Sequence, residues 1–288
     1  MDDFLISPFV EFAFMRRALV GCLALSLGAT PMGVFLTLRR MSLTGDAMSH
    51  AILPGAALGY LTAGLSLEAM TIGGVLAGFT VAMLSGLVAR TTVAQEDSSL
   101  AAFYLISLAG GVLLISMRGS NVDLLHILFG TVLALNDAAL YLIATISSVT
   151  LIGLAILYRP LVMECLDPGF LRSVSSLSPV AHYGFLALVV LNLVGGFHAL
   201  GTLMAVGIMI LPAAAARFWS RDVMGLLAVS TLGALLSSYG GLLLSYHASL
   251  PSGPAIILTA GTFYIVSLAL GTDGVLRTRI RSQRHFQA

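Results

Sequence analysis

The strongest constraint on this chain is a succession of long apolar stretches with few or no charged residues. A helix needs about 20 largely apolar residues to cross the hydrocarbon core of a membrane. Only 9% of the residues are charged, against roughly a quarter in soluble domains. The sequence therefore predicts an all-α integral membrane protein, a polytopic bundle of about eight to nine transmembrane helices, with residues 1–288 forming a single transmembrane domain. The candidate spans are 18–38, 47–67, 69–89, 98–117, 133–158, 180–200, 201–216, 223–246 and 254–272.

The apolar run from 180 to 216 decides whether the spans number eight or nine. It is too long for one crossing, and Gly195, Gly196 and Gly201 lie near its middle. Because glycine commonly interrupts helices, we expect an outward helix followed by a short return helix. Nine spans then place the two termini on opposite sides of the membrane.

Arginine placement predicts the orientation, because short cytoplasmic loops retain positive charge. With the C-terminus inside, eleven arginines are cytoplasmic and three are outside. The N-terminus is then outside, and the interval 159–179 and the tail 273–288 are cytoplasmic. The first fourteen residues lack a basic region typical of a signal peptide, and we expect them to form a short helix at the membrane surface.

The interval 159–179 is the longest polar segment between spans. It contains Glu164, Asp167, Phe170 and Arg172, and residues 165–177 are amphipathic enough to form a short surface helix that docks on a partner protein. Composition alone favours the alternative, an ordinary loop.

Several kinds of chemistry are not supported by the sequence. All fourteen basic residues are Arg, so a P-loop, which needs its Lys on the nucleotide phosphates, cannot form, and ATP would have to be bound by another chain. Neither HExxH nor GxSxG occurs, and Cys22 and Cys165 are too far apart for a CxxC site. We expect no enzyme activity, no permanently bound cofactor and no nucleic-acid partner.

Asp46 and His50 are the strongest candidate ligands. They stand four residues apart and therefore project from one face of a helix. A carboxylate and an imidazole suit Zn²⁺, Mn²⁺ or Fe²⁺ as a transported substrate and do not suit Cu(I). Pro54 cannot donate to the His50 carbonyl, which is then freed beside the ligands. The alternative is a helix-capping Asp and a packed His.

Other candidates are weaker. Pro212 frees the Ile208 carbonyl within the short return helix, and broken helices often line transporter cavities, although a simple kink would look the same. Glu68 is expected to be solvated at the outer surface. His182 and the remaining histidines are expected to be packed or interfacial.

Three stretches carry a resemblance to the permeases of the zinc, manganese and iron ABC importers. They are RRMSLTGDAMSHAILPGAALG (39–59), DLLHILFGTVLAL (123–135) and LGTLMAVGIMILPAAAAR (200–217). The resemblance covers nearly the whole chain, and it implies a type II ABC importer-like permease of the bacterial inner membrane. By this resemblance, Asp46 and His50 contact the metal.

The resemblance also implies partners. It implies two ATP-binding cassette subunits, an extracytoplasmic metal-binding protein and a second permease protomer, most simply a homodimer in the lipid bilayer. The coupling helix that inserts into the ATPase falls within 159–179, where Asp167 and Phe170 fit the family pattern and Ser175 replaces its glycine.

Two other functions remain open on the sequence. A proton-coupled secondary metal transporter would use Asp46, His50 and Glu68, and an ABC permease for a metal chelate would have a wider pore. A purely structural membrane scaffold would leave the Asp46–His50 pair unexplained.

Overall fold

The computed structural model describes residues 2–64, 66–92, 96–117, 135–175 and 177–275. Most of stretch 123–135 and the tail beyond 275 therefore lie outside the described residues. The described residues form eleven helices: α1 (Asp2–Glu11), α2 (Ala13–Leu38), α3 (Ser42–Ala63), α4 (Leu67–Thr91), α5 (Glu96–Met117), α6 (Asp137–Leu166), α7 (Pro168–Val174), α8 (Leu177–Leu200), α9 (Thr202–Ala216), α10 (Val223–Ala248) and α11 (Ser252–Leu270).

Six of the described helices are long and apolar enough to cross a membrane, namely α2, α4, α6, α8, α10 and α11. Helix α9 is apolar but shorter. The predicted all-helical membrane fold is therefore confirmed, whereas the predicted count of eight to nine spans is not.

The predicted break in the apolar run 180–216 is confirmed and lies at Gly201, between α8 and α9. Gly201 has φ 93°, a conformation that glycine adopts without a steric penalty, and its N–H donates to the Gly196 carbonyl at 3.0 Å. Gly196 also packs against Ala205, because a Cβ built on Gly196 would lie 2.5 Å from the Ala205 Cβ. The last turn of α8 therefore folds back onto the first turn of α9.

Helix α9 lies in the buried centre of the bundle. Met204, Ile208 and Met209 are buried, and Gly33 of α2 lies so close to the Met209 carbonyl that any side chain there would collide with it. Helices in membranes commonly associate through small residues, which let their backbones approach closely. This packing fixes α9 against α2.

The connection between α2 and α3 is a tight turn. The Arg40 N–H donates to the Thr37 carbonyl at 3.2 Å, and the Met41 N–H donates to the Leu36 carbonyl at 2.8 Å. These two bonds form a Schellman motif, in which the residue after the cap takes a left-handed conformation, and Arg40 has φ 60°. Helix α3 thus leaves α2 at a fixed angle, five residues before Asp46.

The N-terminal segment forms the predicted short helix, α1, which packs against α10. The Phe9 ring stacks on Tyr239 with centroids 5.3 Å apart, and the Tyr239 hydroxyl donates to the Leu5 carbonyl at 2.9 Å. Helix α1 is therefore attached to the bundle by aromatic and polar contacts.

Candidate metal site and coupling surface

Asp46 and His50 lie on one face of α3, near its N-terminal end. The His50 Nε2 is 3.9 Å from the Asp46 Oδ1, and the side chains are 34% and 65% exposed, respectively. Two ligand atoms on a tetrahedral ion stand about 3.4 Å apart when each bond is about 2.1 Å long. A small side-chain rotation would therefore bring both atoms onto one ion.

The rest of α3 is held by its neighbours on other faces. Gly55 and Gly59 approach the backbone of α4 so closely that a Cβ on either would collide with the Gly73 or Ala69 carbonyl. On the α5 side, the Ser107 hydroxyl donates to the Ala51 carbonyl at 3.3 Å. These contacts leave the Asp46–His50 face of α3 as the open one.

Helix α5 also supports the site directly. The His50 ring stacks on Tyr104 with centroids 6.4 Å apart and an interplanar angle of 30°. One helical turn further along α3, buried Pro54 packs against Gly111, where a Cβ would lie 2.6 Å from the proline ring. Tyr104 carries no signal in the sequence, and only the packing of α5 on α3 reveals it.

One copy of the chain offers two candidate ligands on this face of α3, Asp46 and His50. Within the ranges described above, no group of three or more His, Cys, Asp or Glu side chains is placed to hold a metal ion. Zn²⁺ commonly takes four ligands and Mn²⁺ takes more. Asp46 and His50 of one copy would therefore fill only part of the coordination sphere of either ion.

Pro212 lies within α9 and is buried. The carbonyl that it leaves free, that of Ile208, accepts a hydrogen bond from the Thr30 hydroxyl of α2 at 3.3 Å. Both Pro212 and Thr30 are buried. A side chain of a neighbouring helix thus satisfies the carbonyl that Pro212 leaves free, as expected for a simple kink.

Glu68 lies far from the Asp46–His50 pair. It is exposed in the first turn of α4, and α4 runs antiparallel to α3, because Gly55 faces Gly73 and Gly59 faces Ala69. Glu68 therefore lies beside the C-terminal end of α3, about 20 Å from Asp46 at 1.5 Å per helical residue. Asp46, His50 and Glu68 are therefore too far apart to form one proton relay.

The interval 159–179 contains the predicted short helix, α7. Asp167 caps it, since its Oδ1 accepts from the Phe170 N–H at 2.9 Å, and Arg172 lies on the same helix. Leu166, Phe170 and Leu177 are 77%, 49% and 52% exposed. We call these three residues the α7 apolar patch.

Glu164 lies away from this patch. It is only 2% exposed, and its Oε2 accepts from the Ser178 hydroxyl of α8 at 2.9 Å. The structure therefore separates Glu164 from Phe170, although the sequence places both in one polar interval as candidate coupling residues.

A second polar contact, which is partly buried, also involves α8 and has no signal in the sequence. The Arg39 Nη2 is 2.7 Å from the Nδ1 of His182, and the guanidinium carbon lies 5.3 Å from the centroid of the Phe185 ring. Arg39 opens the motif at 39–59, but the sequence alone indicates only a cytoplasmic charge at this position.

Several known proteins are similar to this chain in sequence or in fold. The model of the family described as "ABC 3 transport family" matches residues 11–271. The manganese import system permease protein ScaB of Streptococcus parasanguinis is 31% identical over 257 residues, covering 89% of this chain and 90% of that protein. The probable iron transport system membrane protein of Haemophilus influenzae is 32% identical over 270 residues, covering 93% and 97%. In the solved structure of PsaBC from Streptococcus pneumoniae in complex with Fab, one chain has a TM-score of 0.83 and 27% identity to this one, covering 98% of this chain and 100% of that chain.

Proposed function

This chain belongs to the ABC 3 transport family, and on that premise we propose that it is the membrane permease subunit of a bacterial ABC importer for a divalent transition metal, Mn²⁺ or Fe²⁺ before Zn²⁺. The observation that carries the proposal is the Asp46–His50 pair on the open face of α3. An oxygen and an imidazole nitrogen suit all three ions, and the relatives are named for manganese and iron.

The transit site is completed by a second copy of the chain. Two copies related by a two-fold axis would bring two carboxylates and two imidazoles together if their α3 faces pack across that axis. The two carboxylates then offset the charge of an ion that has shed most of its water. Exposure of Asp46 in a single copy supports this arrangement. Without a partner on this face of α3, the exposed carboxylate would face lipid at a high cost in free energy.

Leu43 offers a test of the paired arrangement, because it is 77% exposed one turn before Asp46. With Leu43→Cys we expect oxidation to link two copies through their α3 helices. Ile152→Cys, on an exposed position of α6, serves as the control. Equal cross-linking at both positions would count against packing through α3.

ATP hydrolysis belongs to partner subunits, since the chain has no lysine and hence no P-loop. We propose that two ATP-binding subunits dock on the α7 apolar patch from the cytoplasm. An extracytoplasmic metal-binding protein delivers the ion from the other side. In this arrangement the spans number nine, with α3, α5 and α9 crossing as well, and the N-terminus lies outside as the arginine distribution favours.

The function is tested by uptake into proteoliposomes that contain the permease with or without its cognate ATP-binding subunit. We expect Mn²⁺ or Fe²⁺ to enter only when ATP and that subunit are both present. Competition among Mn²⁺, Fe²⁺ and Zn²⁺ then identifies the substrate, and competition by metal chelates tests a chelate as cargo. Uptake driven by a proton gradient without the ATPase, and lost in Glu68→Gln, would instead establish the secondary transporter.

A further inference from the structure

Arg39 is held by α8 through two contacts. Its Nη2 lies 2.7 Å from His182 Nδ1, and its guanidinium lies over the Phe185 ring at 5.3 Å from the centroid. His182 and Phe185 are 3% and 0% exposed. Contacts of this kind are stronger away from water, so Arg39 joins the C-terminal end of α2 firmly to the N-terminal end of α8.

The Arg39 contact indicates which nitrogen of His182 accepts a hydrogen bond. A guanidinium donates hydrogen bonds and accepts none, so His182 Nδ1 must be the acceptor. The other ring nitrogen of His182 is Nε2. That nitrogen faces Gly86 of α4, where a Cβ would lie 3.1 Å away, so a third helix packs against the same side chain.

The ends of the helices that flank α7 meet at the same place. Glu164, three residues before the α7 cap at Asp167, accepts from Ser178 of α8 at 2.9 Å, and Ser178 is four residues from His182. Two polar contacts, Arg39–His182 and Glu164–Ser178, therefore join α2, α6 and α8 at the helix ends next to α7, and we call this group of four residues the Arg39 junction.

The Arg39 junction is connected to α3, the helix that carries Asp46 and His50, by the tight turn between α2 and α3. Arg39 caps α2 and is followed by the two hydrogen bonds of the Schellman turn, from Arg40 and Met41, which leads straight into α3. A shift of Arg39 must therefore shift the start of α3. Arg39 Nη1 is buried and has no hydrogen-bond partner among the described residues, so a donor remains for a second arrangement of these helix ends.

We propose that Arg39 is a positioning residue that transmits movement of α7 to the metal ligands. On this inference, which rests on the proposed function, the ATPase moves α7 and the adjoining ends of α6 and α8. His182 carries that movement to Arg39, and the Schellman turn carries it to Asp46 and His50 on α3. Loss of the Arg39–His182 contact then uncouples ATP hydrolysis from metal movement without detaching the ATPase.

The test uses the whole complex in proteoliposomes and measures metal ions transported per ATP hydrolysed. Arg39→Met removes the donors but keeps an unbranched apolar stem. His182→Asn keeps an acceptor where Nδ1 lies, whereas His182→Gln moves the amide to the place of Nε2. We expect Arg39→Met and His182→Gln to lower the ratio about tenfold and His182→Asn to stay within about twofold of the unsubstituted complex.

ATP hydrolysis and co-purification of the ATPase supply the control, and both are expected to stay near the unsubstituted level in all three variants. An unchanged transport ratio in Arg39→Met overturns the inference. If Arg39→Met fails to assemble, the two His182 variants decide, and equal ratios for His182→Asn and His182→Gln overturn it. The two failures give different results. An unsubstituted complex that moves no metal with ATP would refute the proposed function, whereas a complex that moves metal and keeps its ratio in Arg39→Met would refute only the inference about Arg39.

Discussion

The Thr30 hydroxyl on α2 donates a hydrogen bond to the Ile208 carbonyl on α9 over 3.3 Å. Pro212 cannot supply the N–H that would bond this carbonyl inside a regular helix. A buried carbonyl without a partner costs about 1–3 kcal/mol, so a side chain of α2 satisfies a group that a break in α9 leaves free.

Replacing Thr30 by Val, which keeps the shape and removes the hydroxyl, is expected to lower the free energy of unfolding by about 1–3 kcal/mol. In a Pro212→Ala background the effect should shrink, because the alanine has an N–H that can bond the Ile208 carbonyl. Thermal unfolding in detergent measures both, with Thr62→Val, at an exposed position of α3, as the control. Equal losses for Thr30→Val in the two backgrounds would contradict the assignment.

Arg40 occupies a left-handed position in the α2–α3 turn, with φ 60°. In this conformation a residue with a Cβ is less stable than glycine by roughly 1 kcal/mol. We therefore expect Arg40→Gly to raise the unfolding temperature and Arg40→Ala, which removes the same charge but keeps a Cβ, to leave it nearly unchanged. A similar rise in both variants would indicate that charge, and not backbone strain, limits stability at this turn.

Gly28 of α2 lies where α2 packs closely against α6 and α8. A Cβ at this position would lie 2.7 Å from Asn192 Oδ1 and 2.8 Å from Ser147 Oγ, both on buried side chains. Gly28→Ala is expected to destabilise the protein by about 1–3 kcal/mol through overpacking. Gly261→Ala, where a Cβ would meet nothing within 4 Å, is the matched control, and a similar loss there would rule out local packing as the cause.

Local features of the fold were predictable from the sequence. The break at Gly201 and the short helix α7 depend on nearby residues, namely a glycine in a long apolar run and an amphipathic segment between polar ends. Asp46 and His50 could be paired because a spacing of four places them on one helix face. Such features need no knowledge of how distant helices pack.

The tertiary contacts were not predictable in the same way. Arg39 and His182 are separated by 143 residues, and neither carries a local signal for the other. Glu164 and Phe170 share one polar interval of the sequence, but only the packing of α8 determines that Glu164 turns inward to Ser178. The hydroxyl that satisfies Ile208 likewise comes from another helix.

The α7 apolar patch is expected to be the docking surface for the ATPase. Phe170→Asp places a charge on this patch and should reduce co-purification of the ATP-binding subunit and metal-stimulated ATP hydrolysis by more than tenfold, since a buried charge at an interface costs several kcal/mol unless it is paired. Ser173→Asp, on an exposed position of the same helix, should have a much smaller effect. Undiminished co-purification with Phe170→Asp would exclude this patch as the docking surface.

The most direct test of the account is ATP-driven metal uptake by the double substitution Asp46→Ala with His50→Ala, measured in proteoliposomes at equal permease levels and with the ATPase bound. We predict that uptake falls to the background of liposomes without permease while thermal unfolding changes little, because Asp46 is 65% exposed on the open face of α3 and the contact that His50 loses is a single ring contact with Tyr104. Glu68→Ala, at the far end of the neighbouring helix, should transport normally. Normal uptake by the double variant would contradict the account and show that the metal crosses elsewhere.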